Sequence, residues 1–554
     1  MSHKIIRDSV HGYITLDDMF TGIVNSAEFQ RLKSVEQGSF RVLYPAARHD
    51  RFIHSLGTYY LARKFSEHFV INIKEDLGIS ISQIELDKIQ NTFYYASLLH
   101  DIGHAPFSHT TEKFFKRKEL LDREYEFNKV AIYEDLIKAV KRVVGKDSLE
   151  NFIKEFSGCS PSPHEIMSAT ILINKADEFL GANKDRVYLE LAARMVIGCT
   201  YDYNSYLLEN GDDKNILGIK NCFIRLLNSS TVDVDKMDYI TRDTRMSGFD
   251  NVPIDIERLV KSVTAIKEKD GWIYPAFRKN ALSVIDNVFR AKIEQSLWMV
   301  SHPVVLYDSE LLSFCINSLN KCIGEEYIEK VFSLEALGSK GIEYENKTYR
   351  LLSDIDINSD LKKCCLGNEL MSELYERGLR RHPIWKSYYE YKYLFNDGKS
   401  GEENIFLYFK GLIDYMKTND SFVLDKKLYT NLKKKAPPAV KEAAKFLWKF
   451  CNENEIEFNF VILSSSNSFA PSFDPERVFI RFGSLPCRDK NNYVTYKFLK
   501  GDIRDSDSKR FFYIYSKEKF SVEQIEKLKD GLIKKIKENK KKEVKNKEKI
   551  KERV

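Results

Sequence analysis

Residues 98–109 read LLHDIGHAPFSH, and this segment constrains the chain more than any other. Three of the chain's 11 histidines, His100, His104 and His109, fall within ten residues, with Asp101 beside the first. A single histidine in an apolar pattern is ordinarily a packed core residue, but three so close to a carboxylate need a common use. Imidazole nitrogens and carboxylate oxygens together suit Mn, Fe, Zn, Co or Mg. A divalent metal so held lowers the pKa of a bound water and polarises a phosphoryl oxygen. On a helix His100 and His104 stand one turn apart on one face, one placed for metal and one for substrate.

Two ligands are too few for a tight site, so partners are sought elsewhere. RHDRFIHSLGT presents His54 with Arg51 one turn before it. SSTVDVDKMDYITRDT presents Asp235, followed by Lys236, Tyr239 and Asp243 on adjoining helical faces. One carboxylate there can bind metal while the Lys, Tyr and Asp meet a phosphorylated sugar. An acid-rich helix start is by itself ordinary, because acids suit the positive end of the helix dipole.

At 554 residues the chain calls for two or three domains. Helical apolar spacing dominates to about residue 320, in LGTYYLARKFSEHFVINI, IQNTFYYASLLHDIG, SATILINKADEFL and ERLVKSVTAI. ENGDDKNILGIK reads as a surface loop. Later runs, FNFVILSSS, ERVFIRF and RFFYIYSK, are β-branched and aromatic, and KAPPAVKEAAKFLWKF reads as a helix opening at its prolines. The expected fold is mostly α: a helical core over 1–320, a smaller α+β lobe over 321–535, and a basic helical tail over 536–554.

The nine scattered cysteines form no C-x-x-C and read as free thiols of a reducing compartment. No apolar run approaches the roughly 18 residues of a membrane helix, and the N-terminus lacks a secretory apolar stretch. A cytoplasmic protein without a membrane partner is expected. Net charge is +6, much of it in the tail IKKIKENKKKEVKNKEKIKERV. That tail reads first as a solvated helix and second as a nucleic-acid contact.

The order H…HD…D resembles the HD superfamily, and within it the deoxynucleoside triphosphate triphosphohydrolases. The likeness runs through KIIRDSVHGYITL, FQRLKSVEQG, YPAARHDRFIHSLGTYYLA, LLHDIGHAPFSH, SPHEIMS and DVDKMDYITRD, in family order over residues 4–245. It implies that His54, His100, Asp101 and Asp235 hold the metal. It places His104, His109 and His164 around the scissile α-phosphate, with Glu112 and Glu165 orienting imidazoles and His109 protonating the leaving 5′ oxygen. Arg51, Lys236 and Tyr239 would grip phosphates, and Gln37 and Asp243 would read the 3′ hydroxyl. The implied reaction releases tripolyphosphate from a dNTP, in a dimer, tetramer or larger assembly, serving nucleotide-pool control or antiviral defence.

The match departs from the family in several places. Gly38 and Ser39 follow Gln37 directly, where the family has a Leu that helps exclude a 2′ hydroxyl. Lys292 stands for an expected phosphate-binding Arg, without its bidentate fork. Ser296 and Val300 replace an expected His and Tyr, so base preference does not carry over. Lys4, Asn25, Gln30 and Lys33 occupy the positions of a regulatory nucleotide site. Asn25 there offers one donor and one acceptor where an Asp would accept two bonds from guanine. An activating nucleotide other than GTP, such as dTTP, is one reading; the other is that Asn25 caps the helix beginning SAEFQRL. An insertion spans about 113–160, including FNKVAIYEDLIKAVKRVV as an amphipathic helix pair. Rival readings are an HD phosphohydrolase or nuclease acting on other nucleotides or nucleic-acid ends, and a single-stranded nucleic-acid binder.

Overall fold

The computed structural model describes residues 4–115, 131–206, 211–250, 252–364, 368–396, 401–466, 474–483, 492–500 and 510–551. The chain forms two compact units that alternate along the sequence. The first takes Met1–Gln295, Ile316–Lys363 and Ala470–Ile503; the second takes Ser296–Cys315, Cys364–Phe469 and Arg504–Val554. They therefore do not follow a single cut near residue 320.

In the first unit β1 (Lys4–Asp8) pairs antiparallel with β2 (Gly12–Leu16), followed by α1 (Asp18–Asn25) and α2 (Ala27–Arg31). The core helices are α3 (Arg51–Leu77) and α4 (Gln83–Leu99). The side chain of Asp50 accepts the Ile53 N–H to start α3, and left-handed Gly78 stops it. Leu56, Tyr59, Leu61, Phe65 and Phe69 of α3 are buried, as are Phe93, Tyr95, Leu98 and Leu99 of α4. Side chains of this size each contribute about 1.5–3 kcal/mol on burial.

The chain continues through α5 (Ala131–Lys141), α6 (Lys146–Phe156), α7 (Pro163–Asn174), α8 (Ala176–Leu180), α9 (Leu189–Ile197) and α10 (Gly211–Leu227). A capping box between Ser162 and Glu165, with Pro163 at the first turn, fixes the start of α7. The stretch FNKVAIYEDLIKAVKRVV, expected as a helix pair, holds the single helix α5 in its described part, and the second helix of the insertion, α6, follows it; residues 116–130 lie outside the described residues. The expected loop ENGDDKNILGIK is helical from Gly211, because its apolar residues pack inward along α10.

Next come α11 (Val234–Ser247), α12 (Ile256–Ser262), β3 (Val263–Lys267), β4 (Ile273–Arg278) and α13 (Leu282–Gln295). ERLVKSVTAI is thus not one helix: Val263, Thr264 and Ile266 are β-branched and pair with β4 as a strand. The strand expected in ERVFIRF, Phe479–Arg481, joins this same sheet parallel to β4, and Tyr493–Thr495 completes it. It does not pair with the other late strands. Strand composition was legible, but the choice of partner depends on which sheet edge is open.

The second unit holds an antiparallel sheet in which Arg510–Ser516 lies between His382–Pro383 and Phe460–Ser466. Buried Trp385 donates its indole N–H to the Phe512 carbonyl at 2.7 Å. The helix Pro438–Glu453 starts at its prolines as expected. Among the described residues no helix is long and apolar enough to cross a membrane.

α3 and α11 meet at Gly57, where any Cβ would overlap the Asp238 carboxylate and the Arg242 guanidinium. Gly57→Ala is expected to lower stability by about 3 kcal/mol or more, measured as a fall in denaturation midpoint. A midpoint equal to that of the parent protein would show that this close approach is dispensable.

Candidate metal centre and active site

His54 lies in the first turns of α3, and His100 is the residue at which α4 ends. The turn after α4 carries Asp101 and His104, so His100 and His104 do not share a helical face as the spacing suggested. The His104 N–H closes this turn onto the Asp101 carbonyl at 3.0 Å. Buried Arg31 holds the turn in place, donating to the carbonyls of Ile102 (2.7 Å) and His104 (3.0 Å). Gly103 lets the turn lie against α7, since a Cβ there would overlap the backbone of Met167 and Ser168.

Asp235 comes from the first turn of α11, whose start is capped by Asp233 accepting the Lys236 N–H at 2.8 Å. The four expected ligands converge. His54 Nε2 lies 3.3 Å from His100 Nε2, 3.0 Å from Asp235 Oδ1 and 3.5 Å from Asp101 Oδ2. His100 Nε2 lies 3.4 Å from Asp235 Oδ1 and 3.5 Å from Asp101 Oδ1. Donors about 2.1 Å from one common ion keep mutual separations of this size.

The imidazoles are also oriented for ligation. His54 Nδ1 is 2.7 Å from Asp238 Oδ2, and His100 Nδ1 is 2.9 Å from the Ser97 carbonyl. Each Nδ1–H donates outward, and each Nε2 faces the cluster. Asp238 is in turn held by Arg242, through 2.7 and 3.0 Å bonds, and by His11 at 2.6 Å. Arg242 continues to Asp8 at 2.8 Å. Burial alone would push the Asp238 carboxyl up, but Arg242, His11 and His54 outweigh it and hold it well below the usual range. The sequence reading missed this chain of four residues; the spacing of Asp238 and Arg242, four apart on one helix, was its only signal.

A second group adjoins the first. His104 is fully buried, with Nε2 3.3 Å from Asp101 Oδ1 and Nδ1 3.4 Å from Glu112 Oε1, and neither nitrogen is aligned for a hydrogen bond. It stacks on His164 at 4.0 Å between ring centroids. Glu112 Oε1 also meets His164 Nδ1 at 2.8 Å and His109 Nδ1 at 2.9 Å. Burial raises the Glu112 carboxyl, but His164 and His109 hold it far below its ordinary value. Burial lowers the His164 imidazole, and Glu112 outweighs this, raising it to about 9. His109 remains two-thirds exposed. Glu165 is occupied differently from the expectation: it caps α7 through Ser162 N–H (2.6 Å) and accepts from Asn228 (2.8 Å).

Arg51 is turned inward, not toward open space. It donates to Asp101 (2.7 Å), Ser108 (3.0 Å) and the Gln37 carbonyl (2.9 Å). Lys236 reaches Asp233 at 2.5 Å and the Ser229 carbonyl at 2.6 Å. Lys292 lies over the Tyr239 ring at 4.3 Å, and burial lowers its ammonium to about 8. Both Asp243 oxygens are engaged, by His49 (2.8 Å) and by Gln295 (2.8 Å), two residues the sequence reading did not single out. Gln37 keeps its side-chain oxygen buried, without a partner among the described residues. Ser296 and Val300 lie in the second unit.

Of the four residues resembling a regulatory site, Lys4 donates to Asn25 Oδ1 at 2.6 Å. Gln30 donates to the Val24 carbonyl at 2.6 Å, and Lys33 lies over Phe52 at 4.6 Å. Asn25 does not cap α2; Ser26 does, accepting the Phe29 N–H at 3.3 Å.

Residues 51–180 match the HD domain family. The chain carries an HD domain. Its donor set is of the kind that holds a divalent metal, and the matched span includes every expected ligand except Asp235. An uncharacterized protein of Methanocaldococcus jannaschii is 26% identical over 70% of this chain and 61% of its own length. The deoxynucleoside triphosphate triphosphohydrolase SAMHD1 of Bos taurus is 32% identical over 43% of this chain and 40% of its own. The matching regions thus span between 36 and 61% of the length of the first relatives. The crystal structure of a hypothetical protein from Aquifex aeolicus shares the fold, with a TM-score of 0.52 at 15% identity, covering 96% of this chain and all of that one.

Asp238→Asn is expected to weaken Mn binding about 10–100-fold, measured by calorimetry on the metal-stripped protein. An unchanged affinity would remove Asp238 from the set of residues that prepare His54.

Proposed function

We propose that the chain is a metal-dependent phosphohydrolase that cleaves a deoxynucleoside triphosphate to the deoxynucleoside and tripolyphosphate. What supports this reading most is the junction of the two groups: Asp101 and His104, 3.3 Å apart, join the donor quartet to the three imidazoles around Glu112. The partial likeness to SAMHD1 enzymes, named for this reaction, points the same way.

His54, His100, Asp101 and Asp235 would hold the ion. Once bound, it would supply charge for a phosphoryl oxygen and a more acidic water. Water oxygen forms a bond to the α-phosphorus, and the bond from phosphorus to the 5′ oxygen breaks. His109 gives the departing oxygen its proton. Its Nδ1 rests on Glu112, and its exposure lets the imidazole reach a bound nucleotide. Lys236 and Lys292 meet the phosphates, with Tyr239 holding Lys292 in position. Arg51 acts from behind, fixing Asp101. Gln37, whose buried side-chain oxygen has no partner among the described residues, meets the sugar hydroxyl, and Asp243 is positioned by His49 and Gln295. Lys4 and Asn25, already paired, form the polar start of an activating-nucleotide site.

The test is incubation with Mn or Mg and each dNTP and NTP, singly and in pairs, with products separated by anion exchange. Tripolyphosphate and deoxynucleoside are expected, with no products from His100→Ala/Asp101→Ala. His109→Gln is expected to lose about 10²–10⁴ in kcat while keeping its metal. Activity confined to certain nucleotide pairs, and lost in Asn25→Ala, would support the activating site. Release of orthophosphate, or no turnover in any mixture with metal bound, would overturn the reading.

A further inference from the structure

The basic C-terminal segment takes no part in the site described above. Helix Val522–Lys551 contains twelve Lys against six Asp and Glu, and Glu552 and Arg553 cancel. Its excess of six equals the net charge of the entire chain, +6. The remaining residues sum to zero, so the chain's net positive excess lies here.

Within the second unit this helix lines a slot of about 950 Å3 together with helix Pro438–Glu453. Lys441, Lys445 and Lys449 follow at four-residue intervals and form one wall. Lys527, Lys534 and Lys535 form the other, with Glu538 at its end. Between them lies Phe446, whose ring sits 3.3 Å from where a Cβ on Gly531 would stand, so glycine lets the helices close at this point. Some of the lysines are paired with carboxylates: Lys535 with Glu442 at 2.9 Å, Lys449 with Glu453 at 3.3 Å, and Lys527 with Glu523 at 2.7 Å. Lys441, Lys445 and Lys534 have no ion pair among the described residues.

We propose that this slot binds single-stranded nucleic acid. Two rows of ammonium groups flanking an aromatic floor match a strand whose phosphates run along its edges and whose bases present flat faces. A trough between adjoining helices admits one strand along its length more readily than a duplex. A membrane surface fits less well: a helix lying on lipid turns an apolar face outward, whereas Leu528 and Leu532 of this helix are buried in the protein.

The test is fluorescence anisotropy of a labelled 20-residue oligo(dT) with the full chain between 50 and 200 mM NaCl. It needs no turnover, so its outcome is independent of the proposed hydrolysis. Saturable binding that weakens with salt is expected. The substitution K441E/K445E/K534E is expected to raise Kd at least tenfold and to make the log–log salt slope shallower by about 2, as loss of three phosphate contacts predicts. K138E/K141E/K146E, on α5 and α6, is expected to change neither, and circular dichroism checks folding. If the Glu variant does not fold, K441Q/K445Q/K534Q reads the same slope. No saturable binding at 50 mM NaCl, equal binding by parent and slot variant, or equal loss in the α5–α6 variant would overturn the proposal. So would slot-dependent binding that prefers duplex DNA, phosphatidylserine vesicles or polyglutamate to the oligonucleotide.

Discussion

The contact between His54 and Asp238 governs how the rest of the centre is arranged. An imidazole ligates a metal only if the correct nitrogen presents its lone pair, and the partner of the other nitrogen decides this. Asp238 takes Nδ1, and Nε2 is left facing His100, Asp101 and Asp235. A buried carboxylate can do this only if its own charge is compensated. Arg242 from α11 provides the positive charge and His11 from the first hairpin a hydrogen bond, while Asp8 holds the Arg242 guanidinium in place. Gly57 is the steric condition for the arrangement, because only hydrogen at that position lets α11 come close enough to α3.

The second group depends on a strained turn. Phe107 and Ser108 both have positive φ, of 59° and 51°, which side-chain-bearing residues rarely adopt. Such a conformation persists where its surroundings over-determine it. Here the Phe107 N–H donates to Asp354 at 2.6 Å, and the Ser108 hydroxyl lies between the Glu36 carbonyl (2.5 Å) and Arg51 (3.0 Å). Burial raises the Asp354 carboxyl to about 7. The turn presents His109 outward while Glu112 returns to His104 and His164, so one short segment supplies both a buried and an accessible imidazole.

Much of the fold and site could be read from residue order. The long helices over 51–77 and 83–99, the proline-started helix at 438 and the late strands follow from periodicity and capping residues; histidine clustering pointed to a metal, and the set of four expected donors came from the resemblance to the HD superfamily. ERLVKSVTAI and ENGDDKNILGIK were less legible, since helix, strand and loop share apolar and polar residues over short spans. Arg51 and Glu165 are engaged otherwise than their residue types suggested: Arg51 pairs with Asp101, and Glu165 caps α7.

By itself the sequence determined which atoms were available for chemistry: three histidines beside an aspartate, further His and Asp donors, and a charge excess confined to the last helix. It did so because ligand chemistry depends on residue type, and clustering along the chain records residue type directly. Only the tertiary structure decided which donors meet, which carboxylate sets each imidazole, and which sheet the Phe479 strand joins. Those outcomes depend on close approach between segments far apart in the chain. Asp238 and His54 are 184 residues apart, and Asp354 and Phe107 are 247 apart. No local pattern encodes such a separation.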